Sequence, residues 1–153
     1  MTDREKLAAI RACGCFDSWI DSSPDQLLRF FDEVTVGPGE RIAVEGAPCH
    51  QFILVADGRL ETCSGGRVGA LQAGDSFGWV AMESRGPNEA TVVAPAGARL
   101  LVMSHAQFGA AGAPPPARRF PRWALPSSRR SLPRRPTPLG SVEAKNPGAN
   151  PAC

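Results

Sequence analysis

From residue 32 onward, glycines cut the chain into short segments whose apolar residues alternate: EVTV, RIAV, HQFILVA, RLETC, RVGALQ, ATVVA and ARLLVMS. A period of two places every second side chain on one face, so these segments are predicted strands rather than helices. Strands this short, joined by tight turns, bury an apolar face only by closing on one another. The expected fold class is therefore mainly β, an antiparallel β-roll or jelly roll (a double-stranded β-helix) with short flanking helices. Asp57-Gly58 predicts a two-residue hairpin between FILVA and RLETC, because a type I′ turn needs positive φ at both central positions. Ser64-Gly65-Gly66 predicts the next reversal, and Pro95 to Gly97 another.

Helical spacing is confined to the flanks. Leu7 and Ile10, three apart with Ala8 and Ala9 between them, suit a short amphipathic helix over about residues 3–12. Ser23-Pro24-Asp25-Gln26 reads as a capping box with proline at the first helical position, followed by an apolar face of Leu27, Leu28 and Phe31. Ser104-His105-Ala106-Gln107 is a second capping box. Pro114, Pro115 and Pro116 are expected to stop its helix after about two turns, since proline lacks the amide proton and clashes with the preceding turn.

Charge and proline divide the chain near Phe108. Residues 1–108 carry 9 Lys+Arg against 14 Asp+Glu, a net −5, whereas residues 109–153 carry 8 against 1, a net +7. Ten of the 15 prolines follow Phe108. The expected organisation is a folded domain over 1–110 and a Pro/Arg-rich disordered tail over 111–153.

Five cysteines, Cys13, Cys15, Cys49, Cys63 and Cys153, are an odd number, and no signal-peptide core follows the charged start. These features predict free thiols in a reducing cytoplasm. No apolar run approaches the roughly 18 residues of a membrane span. Cys13-Gly14-Cys15 is too short for a CxxC motif; it reads either as packed small thiols or, with Cys49 and Cys63, as a metal or iron–sulfur site. His50 and His105 stand far apart in sequence, which leaves a histidine metal centre without its ligands. No Ser/His/Asp arrangement, P-loop or paired-carboxylate signature stands out, so an enzyme is not expected.

The stretch Phe77 to Val92, FGWVAMESRGPNEATV, resembles the phosphate-binding cassette of the cyclic nucleotide-binding family, FGE-(I/L)-A-L-L-x-x-x-P-R-x-A-T-V. Phe77, Gly78, Ala81, Pro87, Ala90, Thr91 and Val92 fall in register. Upstream, Pro38-Gly39-Glu40-Arg41-Ile42, Glu45-Gly46, Phe52-Ile53-Leu54 to Gly58, and Gly74-Asp75-Ser76-Phe77-Gly78 follow the family's glycine order. The resemblance spans about residues 7–108 and implies an eight-stranded roll with cyclic AMP or cyclic GMP as its ligand. The candidate pocket it implies is Gly78, Trp79, Val80, Arg85, Asn88, Glu89, Ala90 and Thr91.

Two of those positions depart from the family. Trp79 stands where the family's glutamate accepts from the ribose, and Asn88 where its arginine pairs with the cyclic phosphate. A charge-assisted bond is worth roughly 1.5–3 kcal/mol, so loss of the arginine predicts binding weaker by roughly ten- to a hundredfold. Glu89 adds a carboxylate at a position close to the phosphate. Three readings remain open: a collapsed pocket with the Trp79 indole in the sugar site, weak or altered nucleotide binding, and a different ligand. Arg85, three positions before Asn88, is either a substitute for the missing cation or an exposed loop arginine.

In the tail, arginines interleave with Phe120 and Trp123, a pattern that suits phosphate contacts and base stacking. Proline-spaced arginine also suits an SH3-like groove, and a disordered basic extension is the third alternative. A helix-turn-helix is excluded from the stretch between Pro116 and Pro151, where the longest proline-free run is Leu139 to Asn146. The abrupt change of composition also fits a shifted reading frame in a truncated regulator. The expected function is a non-enzymatic regulatory or sensor module with weak or lost cyclic AMP or cyclic GMP binding. The alternative is a ligand-independent interaction module whose basic tail binds an acidic protein partner or nucleic acid.

Overall fold

The computed structural model describes residues 1–112 and Cys153. Three helices come first: α1 (Asp3–Cys13), α2 (Asp17–Ser22) and α3 (Pro24–Leu28). The strands β1 (Asp32–Val36), β2 (Glu40–Ala43), β3 (Gln51–Ser64), β4 (Arg67–Gln72) and β5 (Ser76–Phe77) follow, then helix α4 (Trp79–Ser84). Strands β6 (Thr91–Ala94) and β7 (Ala98–Ser104) lead into α5 (His105–Ala111). The fold is mainly β, an antiparallel roll with short flanking helices, as the alternating segments predict.

Strand β3 is the backbone of the roll. Its first half pairs with β7 and β5, and its second half with β4 and β6. The Asp57-Gly58 hairpin does not form: β3 runs unbroken for 14 residues, through a register shift between Val55 and Asp57. Gly58 has φ 94, and a Cβ there would lie 3.0 Å from the Gly97 carbonyl oxygen. Positive φ at this glycine therefore serves a bend that carries one strand between two sets of partners, and not a reversal. The Ser64-Gly65-Gly66 reversal does form. Ser64 pairs with Arg67, and Gly65 and Gly66 have φ 55 and 77, the signs a type I′ turn requires.

Seven strands are present among the described residues, one fewer than the resemblance implies. A further antiparallel contact, the isolated bridge between Pro48 and Pro87, cannot grow into a ladder because neither proline has an amide proton to donate.

Alternation along β3 separates two apolar layers. Ile53 and Val55 face the roll interior with Leu60, Leu71, Phe77, Val92 and Leu100. Phe52 and Leu54 face outward, under the helices, with Ile10, Phe16, Leu27, Phe31, Trp79 and Met103. Of the apolar face predicted for α3, Leu27 is buried and Leu28 half-buried on the helix, whereas Phe31 is buried beyond the helix's end. Ser23 makes no side-chain cap, although Pro24 opens α3. The same residue closes α2, its N–H bonded to the Trp19 carbonyl at 2.7 Å, and that role sets its backbone.

The Ser104 capping box is formed, with the Ser104 N–H donating to Gln107 Oε1 at 2.7 Å and Gln107 N–H to Ser104 Oγ at 3.3 Å. Helix α5 ends at Ala111 under a left-handed Gly112 cap, before the prolines are reached. The tail expectations fall on residues outside those described, Cys153 apart. Cys153 is disulfide-bonded to Cys63, so two of the five cysteines expected free are paired. A separation of 90 residues carries no sequence signal for that pairing. No helix among the described residues is long and apolar enough to cross a membrane.

Candidate functional site

The cassette begins at a turn only glycine allows. Gly78 has φ 94, and a Cβ would lie 3.1 Å from the Gln51 carbonyl oxygen and 3.5 Å from Cys49 Sγ. The chain then forms α4, and its apolar side decides where the candidate residues point. Trp79, Ala81 and Met82 are buried under the helices, while Val80 is 41% exposed.

The Trp79 indole packs edge-on against Phe52 at 5.5 Å and Phe108 at 5.0 Å, and tilted against Phe16 at 5.7 Å. It therefore sits in the aromatic layer outside the roll, and the expectation that it fills the sugar site is not met. The physical reason is the helix phase: a residue at the first position of α4 shares its face with Met82, three residues on, and that face docks on Phe52.

Arg85 closes α4 with φ 54, a left-handed conformation rare for a residue with a side chain. It is exposed, and none of the hydrogen bonds or ion pairs among the described residues involves its side chain.

Among the candidates, Asn88 lies at a cavity between the loop after β2 and the start of β3. It is 9% exposed and lines a cavity of about 260 Å³ with Val44, Ala47, His50, Gln51 and Ile53. Its Nδ2 donates to the Val44 carbonyl at 3.1 Å, its N–H to the Ala47 carbonyl at 2.7 Å, and its own carbonyl accepts from Gly46 N–H at 3.0 Å. The loop after β2 is thus laced along the cassette. Cys49 N–H adds a bond to the Gly86 carbonyl at 3.3 Å, and Glu45 N–H donates to Thr91 Oγ1 at 3.0 Å. Gly86, Asn88 and Thr91 of the cassette are thus engaged by backbone from residues 44–49.

Glu89 is half-buried and absent from the cavity lining, and desolvation pushes its carboxyl above the usual range. Its carbonyl accepts from Ser64 Oγ at 2.7 Å. Ala90 packs inside the roll with Val92. Of the eight candidate residues, then, Asn88 alone lines this cavity. Sequence reasoning missed Val44, Ala47, His50 and Gln51, whose approach to Asn88 depends on a pairing some forty residues apart, as in the 44-residue separation of the Asn88–Val44 bond.

The remaining polar candidates lie elsewhere. His105 Nε2 contacts the Cys49 carbonyl at 2.9 Å, whereas His50 is exposed at the cavity. Among the described residues, no group of three or more His, Cys, Asp or Glu is placed to hold a metal.

The cyclic nucleotide-binding domain model matches residues 33–112. A search of curated proteins finds no match. Among solved structures, the regulatory domain of Toxoplasma gondii PKA with cAMP aligns with a TM-score of 0.63 at 20% identity, covering 72% of this chain and 45% of that one. The Thermus thermophilus catabolite activator protein aligns at 0.54 and 22%, covering 61% and 48%. The sensor domain of the transcriptional regulator DNR from Pseudomonas aeruginosa aligns at 0.58 and 21%, covering 71% and 77%. This chain thus spans less than half the length of the first two. Matched by the family model over more than half its length, and carrying the family's roll, glycine corner and cassette helix, the chain belongs to the cyclic nucleotide-binding domain family.

Proposed function

We propose that this chain is a non-enzymatic regulatory module whose roll has lost most of its grip on a cyclic phosphate. The observation that supports the reading is Asn88. It stands at the family's arginine position, turns into the cavity, and already donates to the Val44 carbonyl. An amide in that seat has no positive charge to set against an anion, and a phosphate would have to displace the loop bonds before it met a free donor.

Trp79 adds to the loss in a different way from the one the sequence implies. With its ring among Phe16, Phe52 and Phe108, it offers no acceptor to a ribose, but it stays out of the cavity beside Asn88. The module is accordingly a sensor with an unplugged cavity and without its anion clamp. Glu89 need not oppose a ligand directly, since it lies off the cavity.

Thermal unfolding of the full chain with cyclic AMP and cyclic GMP tests this. A ligand at a hundredfold excess over its Kd stabilises by about 2.7 kcal/mol, so micromolar nucleotide is expected to leave the melting temperature unchanged. A clear rise at micromolar nucleotide would overturn the reading.

A further inference from the structure

The walls of the cavity at Asn88 are apolar and held in place by backbone. Ile42, Ala43 and Val44 line it from β2 and the loop that follows, and Ile53 lines it from β3. Asn88 ties that loop to the cassette through its bonds to Val44, Gly46 and Ala47, at 3.1, 3.0 and 2.7 Å. Walls fixed in this way cost a ligand little ordering when it enters.

The polar groups set among these walls are uncharged amides. With Nδ2 donating to the Val44 carbonyl, Asn88 keeps Oδ1 as an acceptor with no partner among the described residues. That oxygen is reachable, since Glu61 Oε2 is the one closed-off side-chain atom without a partner among those residues. Gln51 stands two residues before Ile53 in β3 and so shares its face. It is half-buried and lines the same cavity. Its backbone carbonyl accepts from Cys49 Sγ at 3.5 Å, while its side-chain amide has no partner among the described residues.

These groups restrict what can enter. An open acceptor at Asn88 calls for a donor on the ligand, which a carboxylate or a phosphate does not have. A cationic donor is disfavoured in turn, because the exposed Arg41 lies at the rim and the apolar walls leave a buried charge unpaired. A volume of about 260 Å³ holds roughly nine non-hydrogen atoms, at the ~30 Å³ that one water occupies in the liquid.

We propose that this cavity binds a small uncharged carboxamide. Its N–H group donates to Asn88 Oδ1, its apolar body lies against Ile42, Ala43 and Ile53, and the Gln51 amide is its further polar contact. The inference rests on the reading above, that the anion clamp is lost, and gives the unplugged cavity a ligand class of its own.

Benzamide, benzoate and benzamidine are neutral, anionic and cationic versions of one shape, and titrating each into the isotope-labelled full chain under NMR tests the site. Benzamide is expected to saturate, with shifts at the Asn88 and Gln51 side-chain amides and the Ile42 and Ile53 methyls, and to bind at least about tenfold more tightly than either charged isostere. Gln51→Met keeps the length of the side chain without its amide and is expected to weaken benzamide about fivefold. Tighter binding of benzoate, lost in Arg41→Ala, overturns the proposal in favour of a carboxylate held at the rim. Equal binding of all three, shifts confined to other residues, or no binding overturns it as well, and the wild-type titrations decide this even if a variant does not fold. Cyclic AMP added to the same samples separates the two claims. Shifts at micromolar nucleotide overturn the loss of the clamp, whereas silence from both nucleotide and benzamide overturns the carboxamide site alone.

Discussion

Asn88 and Trp79 each take the place of a charged residue in the family's cassette, with different consequences. Asn88 lines the cavity, so on the proposed reading its replacement acts on the ligand. Trp79 turns under the helices, so its replacement acts on the fold. Asn88→Arg is expected to strengthen cyclic AMP binding by roughly ten- to a hundredfold, the worth of one charge-assisted bond, measured by calorimetry. Trp79→Ala removes an indole that is 4% exposed and is expected to cost about 3–5 kcal/mol in urea unfolding, without restoring binding.

Glu89 adds a pH dependence. Burial raises its folded pKa, so the folded state holds the proton more tightly than the unfolded one. The folded state is therefore favoured while the carboxyl is protonated, and that advantage is lost as pH rises from the ordinary carboxylate range through the raised folded value. Glu89→Gln is expected to flatten this fall and to melt higher than wild type at neutral pH. Equal melting curves from pH 4 to 7 would contradict the assignment.

At the scale of elements, glycine conformation separates what was legible from what was not. The Gly65-Gly66 reversal is legible in the sequence because it is a local event, complete within Ser64 to Arg67. Asp57-Gly58 carries the same local signal, yet its use depends on β7, whose residue Ala98 lies close against Gly58. No local pattern distinguishes a bend from a reversal when the deciding contact is far away in sequence. Opposite outcomes are expected on substitution. Gly58→Ala places a Cβ 3.0 Å from the Gly97 carbonyl at φ 94 and is expected to destabilise by about 1–3 kcal/mol. Gly65→Asn, at φ 55 with nothing within 4 Å, is expected to be neutral or slightly stabilising. Thermal melts of the two variants check both.

The same distinction runs through the cassette. Its frame of Phe77, Gly78, Ala90 and Val92 was visible as a motif, and the structure places Phe77, Ala90 and Val92 inside the roll. The direction of Trp79 was not visible, because a motif gives position along the chain and not the phase of a helix against its sheet. The loop of residues 44–49 was equally hidden, since its bonds to Gly86, Asn88 and Thr91 are long-range.

Across the whole molecule, the roll and the helical layer divide the labour. The cavity lies at one end of the roll, between the loop after β2 and the start of β3, and the layer outside holds Trp79, Phe16 and Phe108. The aromatic contacts join α4 to α5 through Trp79 and Phe108, with Phe16 packed against the same indole. On the proposed reading, the domain keeps its roll and a cavity beside the cassette while its anion clamp is weakened.

Calorimetric titration of cyclic AMP into the wild-type chain and into Asn88→Arg tests that division most directly. Wild type is expected to give no measurable heat of binding at micromolar nucleotide, and the arginine variant a measurable one. Micromolar binding by wild type, unchanged by the substitution, would contradict it.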